Sequence, residues 1–184
     1  EPAHGPRILW IYGPSGVGKS HLAQGLAERW RATTQDDARV LIASASDLAR
    51  DFVAARHDDP HGERLSAFRA PLETAELLVL EDLHHVADQE AFARELARLL
   101  DVRVAADVKT VVTSSAGPAA ALFAPPLASR LAAGLPLGLV PPALEARRAL
   151  VSMLAEALGI PLQDRARDCL ASHVTAGPRA LAPR

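Results

Sequence analysis

The chain has one cysteine, Cys169, among 184 residues. An internal disulfide framework is therefore excluded, and a reducing compartment fits best. Cys169 stands beside Leu170 in a helix-like stretch and reads as a small core residue rather than a nucleophile. An excess of one charge is lacking as well: 20 Lys and Arg against 22 Asp and Glu give a formal net charge of −2. This argues against a chain-wide basic surface, so tight nonspecific nucleic-acid binding by this segment alone is not indicated, though a local basic patch stays open. No apolar run approaches the roughly 20 residues that span a bilayer, and no charged-then-apolar signal layout opens the chain. Internal repeats and low-complexity tracts are absent too. The expectation is a cytoplasmic protein with no membrane partner. Beginning at Glu1 and ending in Pro183-Arg184, it reads as a fragment of a longer protein.

A hydrophobic content of 49% is ample for a core, and the length suits one α/β domain with the start of a second. The organising stretch is Gly13-Pro14-Ser15-Gly16-Val17-Gly18-Lys19-Ser20, which fits G-x-x-x-x-G-K-[ST] at every fixed position. Glycines there let the backbone turn tightly and aim N–H groups at phosphate oxygens, which a side chain at Gly16 or Gly18 would block. Lys19 adds a point charge for the outer phosphates, and the Ser20 hydroxyl is placed to ligate Mg²⁺. The context agrees, because an apolar run of strand length, Arg7–Tyr12, precedes the loop. After it, Leu22, Leu26 and Trp30 recur as on one helix face.

Val40–Ala45 reads as a strand buried on both faces, with Ser46 capping the next helix and Leu48, Phe52 and Val53 on its apolar side. A second helical piece, Glu63–Ala70, stops before Pro71. Leu77–Leu80 forms a third strand and ends in Glu81-Asp82; Gln89–Leu100 is helical, and Val108–Ser115 and Leu135–Val140 complete five strands. Helices over Ala143–Leu158, closed by Gly159, and Gln163–His173 follow Pro141-Pro142. Strands alternating with helices predict a doubly wound sheet of five parallel strands flanked by helices. The expected division is a nucleotide-binding domain over 1–140 and the start of a helical lid, truncated, over 141–184.

Four apolar residues deliver Glu81 and Asp82 to the C-terminal end of their strand, the edge where ligands bind in such sheets. One carboxylate would hold the Mg²⁺ shell and the other would orient water. His84 and His85 follow, but adjacent histidines on alternating directions make a poor metal pair and read as loop residues.

The order of parts resembles the AAA+ ATPase domain of the bacterial replication initiator DnaA and its regulator Hda. The resemblance covers nearly the whole chain. It rests on the Gly-Lys-Ser-His continuation through His21, the two-helix insertion, and the polar strand end Thr113-Ser114-Ser115. The stretches Ser129–Leu135 and Pro141-Pro142-Ala143-Leu144-Glu145-Ala146-Arg147 complete it. The resemblance implies ATP and Mg²⁺ as ligands, Asp82 as the acid nearest the attacking water, and Ser115 at the sensor-1 position. It implies Arg130 as an arginine finger reaching the ATP of a neighbouring subunit head to tail, and Arg179 as sensor 2 in the lid. Glu81 stands where the family usually has Asp, and Ser115 where the initiator has an acid. The insertion, 46–70, is where the initiator touches single-stranded DNA, yet the positions after the acids that are basic in the initiator are here Gln89 and Ala91. No helix-turn-helix domain is present for duplex recognition.

The leading expectation is an initiator core that binds ATP, assembles with like subunits and hydrolyses slowly as a switch. Beside it stand an Hda-like or helicase-loader-like regulator of another replication AAA+ protein, and a scaffold that binds ATP without cleaving it. A P-loop kinase is disfavoured by the candidate finger and the proline-marked second subdomain.

Overall fold

The structure is a computed structural model that describes residues 5–34, 39–57 and 59–173. By internal contacts the chain divides into two compact units, Glu1–Tyr12 with Lys19–Gly138, and Gly13–Gly18 with Leu139–Arg184.

In the larger unit five strands form one parallel sheet in the order β2-β3-β4-β1-β5. They are β1 (Ile8–Tyr12), β2 (Val40–Ser44), β3 (Leu77–Glu81), β4 (Lys109–Ser114) and β5 (Leu135–Gly138). Helices α1 (Lys19–Thr34), α2 (Ala45–Arg56), α3 (Glu63–Thr74), α4 (Glu90–Ala105) and α5 (Pro125–Ala133) connect them. The expected five parallel strands flanked by helices are thus present.

Side chains alternate across a strand, so each strand serves two layers. Ile8, Trp10, Leu78, Leu80 and Val112 join one cluster with Leu48 and Phe52 of α2, Phe92, Leu96, Leu99 and Leu100 of α4, and Leu127 and Leu131 of α5. Trp10 anchors it, with its ring beside Tyr12 and edge-on to Phe123 and its indole N–H donating to Ser114 Oγ at 2.8 Å. The alternate residues Ile11, Val79 and Val111 are buried in the other layer, where α1 packs on β3 and β4. The buried positions of α1 are Ala23 and Ala27, while Leu22 is exposed. The apolar stripe expected on Leu22, Leu26 and Trp30 therefore marks the helix but not its packing face. Small residues let the helix axis approach the sheet closely. Leu26 and Trp30 instead line a cavity of about 500 Å³ with Leu9, Leu77, Val111 and Leu135.

Several local expectations are corrected. The strand expected over Val40–Ala45 is an edge strand over Val40–Ser44, buried only at Val40, because it has a single neighbour, β3, while Ala45 already belongs to α2. Ser46 is not the cap of α2; the helix begins at Ala45 with Ser44 before it, and no side chain caps it. Val53 is exposed on α2. Helix α3 continues through Pro71 to Thr74. Its far end is buried at Leu72 and held by Arg103 of α4, whose Nη1 donates to Leu72 O at 2.6 Å and Ala75 O at 2.9 Å. Those bonds and the packing of Leu72 outweigh the one hydrogen bond that proline deletes. At the other end the Asp59 carboxylate accepts from Leu65 N at 3.0 Å and Arg64 N at 3.3 Å. Proline is tolerated in β5 because β5 is an edge and Pro136 can leave one side unpaired.

The smaller unit contains α6 (Leu144–Ala157) and α7 (Asp164–His173), packed on each other. Gly159 follows α6 in the left-handed region at φ 66°, as a C-terminal glycine should. Arg147 joins the two helices: its Nε donates to Ala171 O at 2.6 Å and its Nη1 to Pro142 O at 3.1 Å. Cys169 is exposed on α7, not a core residue, since Ala171 takes the buried position of that helix. Among the described residues no helix is long and apolar enough to cross a membrane.

Candidate functional site

The chain leaves β1 at Tyr12, passes through Gly13–Gly18 and enters α1 at Lys19. Two glycines in this loop are required for different reasons. Gly13 has φ 151°, and a Cβ there would collide with the carbonyl of Leu139. Gly16 has φ 79° and open space where its Cβ would stand, so a ligand can approach bare backbone there. Pro14 and Ser15 are exposed, Val17 is buried and Gly18 half-buried.

Lys19, the first residue of α1, is buried at 7% exposure. Burial pulls its ammonium below the usual lysine range, and the Asp82 carboxylate opposes that shift. Ser20 is half-buried on the first turn, and His21 beside it is exposed.

The acids close β3. Glu81, half-buried, accepts from Gln24 Nε2 at 3.4 Å. Asp82 stands in the left-handed region at φ 56°, ψ 46°, which Asp tolerates better than most side chains, and there the chain turns from strand into a 3₁₀ turn, Leu83–Val86. Two bonds tie this end to β4 past the last rung of the ladder, Leu80↔Val112. Asp82 N–H donates to Thr113 Oγ1 at 2.9 Å, and Ser115 N–H donates to His84 Nδ1 at 3.2 Å. Ser115 is thereby tied to the turn that follows the acids, with its side chain exposed.

His84 and His85 are not splayed apart, as expected from strand-like alternation. The 3₁₀ turn lays their rings side by side, with centroids 4.1 Å apart. Burial first, then the charge of His85, keeps the His84 imidazole below its ordinary range, opposed by Asp82; Lys19 adds a smaller lowering. Sequence reasoning does not single out Gln24, reads His84 as a loop residue, and takes Thr113 only as part of a polar strand end. The polar triplet Thr113-Ser114-Ser115 at an otherwise apolar strand end was the available signal.

Arg130 lies on α5, where its guanidinium engages Asp101 of α4. Arg179 lies outside the described residues.

A parallel sheet in the order β2-β3-β4-β1-β5, a glycine loop leading into α1, and paired carboxylates ending β3 define a P-loop nucleotide-binding core of the AAA+ kind. The family model of the bacterial DnaA ATPase domain matches residues 1–139, and the chain belongs to this family. The chromosomal replication initiator protein DnaA of Acinetobacter baylyi is 28% identical over 179 residues, which are 97% of this chain and 37% of that protein. The chain thus spans well under half of that relative's length. Domain III of the Thermotoga maritima replication initiation protein DnaA superposes with a TM-score of 0.84 at 23% identity, covering 98% of this chain and 74% of that one. A replication initiator DnaA bound to AMPPCP and single-stranded DNA superposes at 0.83 with 20% identity, covering 98% and 53%.

Proposed function

We propose that this chain is the ATP-binding core of a DnaA-type replication initiator, a slow ATPase whose nucleotide state governs self-assembly on DNA. The observation that carries the reading is the buried cation Lys19 at the head of α1, directly after a loop with bare backbone at Gly16. These residues fit ATP·Mg²⁺.

In this reading the N–H groups of Gly13, Pro14-flanked Ser15, Gly16, Val17 and Gly18 hold the phosphates, and His21 extends the same loop into α1. Lys19 neutralises the outer phosphates. Ser20, Glu81 and Asp82 would hold Mg²⁺, which supplies charge neutralisation between phosphate oxygens when bound. Asp82 orients the attacking water, and Ser115, braced by His84, lies beside it. Arg130 completes the site of a neighbouring subunit, and Arg179 acts from the lid. The division at 140/141 into nucleotide domain and lid belongs to the same proposal. So do cytoplasmic location and DNA contact through the 46–70 insertion or domains outside this chain.

One observation favours a second reading, an Hda-like regulator acting on another AAA+ protein. Gln89 and Ala91 are exposed and offer no cation to a DNA phosphate. The first experiment is sedimentation velocity with Mg²⁺ and either ATP or ADP. Larger species with ATP, lost in Arg130→Ala, support the initiator. A protein that binds ATP yet stays monomeric and ignores single-stranded DNA supports the regulator. Undiminished ATP affinity in Lys19→Ala removes the nucleotide site altogether.

A further inference from the structure

The side chain of Arg130 is anchored on two sides. The Asp101 carboxylate grips one edge of the guanidinium: Nε donates to Oδ1 at 2.8 Å and to Oδ2 at 2.9 Å, and Nη2 donates to Oδ2 at 2.7 Å. On the other flank Nη1 donates to the carbonyl of Pro126, one helical turn back, at 2.8 Å. A guanidinium has five N–H donors, one on Nε and two on each terminal nitrogen. Among the described residues these bonds engage Nε and one N–H of each terminal nitrogen. One N–H on each terminal nitrogen is left over. That end-on fork suits two oxygens of a phosphate.

Stability alone is a small part of what the arrangement achieves. Arg130 is partly exposed at 35% and Asp101 exposed at 54%, so solvent and salt screen the pair, and even with its two-pronged geometry its contribution to stability is modest. What the pair does achieve is order. An exposed arginine samples many rotamers and must lose that freedom when it meets a ligand. Here Asp101 and Pro126 have already removed much of it, while leaving the end-on pair of N–H groups open.

We infer that Asp101 is the positioning residue of the arginine finger, holding Arg130 with its end-on fork ready for the terminal phosphate of ATP in a neighbouring subunit. The inference rests on the reading of Arg130 as a trans-acting finger and adds the residue that prepares it. α4 supplies the holder and α5 the finger, so the device spans two helices that pack together.

The test must separate positioning from folding and from the finger reading itself. Two variants make a one-sided pair: Lys19→Ala offers Arg130 without holding nucleotide, and Arg130→Ala holds nucleotide without offering a finger. Mixed with ATP and Mg²⁺, they should associate in sedimentation velocity. Adding Asp101→Ala to the finger-offering subunit should weaken the association about three- to tenfold. Adding it to the nucleotide-holding subunit should change nothing, and Asp101→Asn, which keeps one accepting oxygen, should fall between. Equal weakening on both sides means a structural role and overturns the inference. No weakening on either side, or tighter association, overturns it as well, the latter because Asp101 would then restrain the finger. If the parent pair does not associate, while wild-type subunits assemble with ATP, the finger reading fails first and this inference with it.

Discussion

The backbone N–H of Asp82 is bonded to the Thr113 hydroxyl at 2.9 Å, just beyond the last rung between β3 and β4. With the bond from Ser115 N–H to His84 Nδ1 it forms a brace across two strand ends. An acid held in the left-handed region needs such fixing, because its backbone is otherwise free to relax toward ordinary turns.

Thr113→Val removes the acceptor while keeping the buried shape. ATP turnover should fall about 10- to 100-fold with nucleotide affinity unchanged, and Thr113→Ser should restore most of it. Single-turnover phosphate release beside an equilibrium titration checks this; equal turnover in Thr113→Val would detach the brace from catalysis.

The two loop glycines should part company. Gly13→Ala must collide with the Leu139 carbonyl, so it should lower thermal stability. Gly16→Ala meets no atom in the protein and should cost only about 1–2 kcal/mol for the left-handed backbone. Its methyl group, however, occupies the approach to the loop, so ATP affinity should drop sharply in a protein that still melts cooperatively. Calorimetry with and without ATP reads both effects.

Glu95 of α4 is nearly buried between Arg69, whose Nε donates to it at 2.8 Å, and Arg98, whose Nε donates at 2.9 Å. Burial alone would raise its carboxyl, but the hydrogen bonds from Arg69 and Arg98, and then their charges, hold it below its ordinary value of 4.5. A carboxylate depressed in the folded state contributes stability above its unfolded pKa and loses it as pH falls through the folded one. Glu95→Gln should therefore cost about 2–3 kcal/mol near neutrality, and the difference from wild type should shrink below pH 4.5. Urea midpoints across pH 3–7 are the measurement, with the window set by the carboxyl's ordinary range; a difference independent of pH would refute the assignment.

Arg103 is fully buried, and burial lowers its guanidinium to about 10. Its bonds go to Thr110 Oγ1 at 2.8 Å and to the carbonyls of Leu72, Ala75 and Lys109, joining the end of α3 to the start of β4. Arg103→Met leaves these carbonyls without their donor and should destabilise by about 3–5 kcal/mol. The loss should appear as early exchange of amides in α3. A normal exchange pattern would mean that Pro71 needs no such support.

Much of the architecture could be read from local pattern. The glycine spacing from Gly13 to Gly18 and the apolar runs before Glu81 and around Val112 depend on neighbours within a few residues, so periodicity located the loop, the acids and the central strands. Edges failed first. Whether Val40–Ser44 is buried on both faces depends on which strands flank it, and whether α3 survives Pro71 depends on Arg103, which is distant in sequence.

Sequence alone determined the strand–loop–helix order, the carboxylates at the end of β3 and the family pattern on which Arg130 was recognised, because each is written in short-range spacing of residue types. Tertiary structure decided which partners these groups have. Thr113 accepts from Asp82, His84 from Ser115, and Asp101 holds Arg130 across 29 positions. Such pairs form only where folding brings separate strand ends or helices within hydrogen-bond distance, and no periodicity along the chain encodes that meeting.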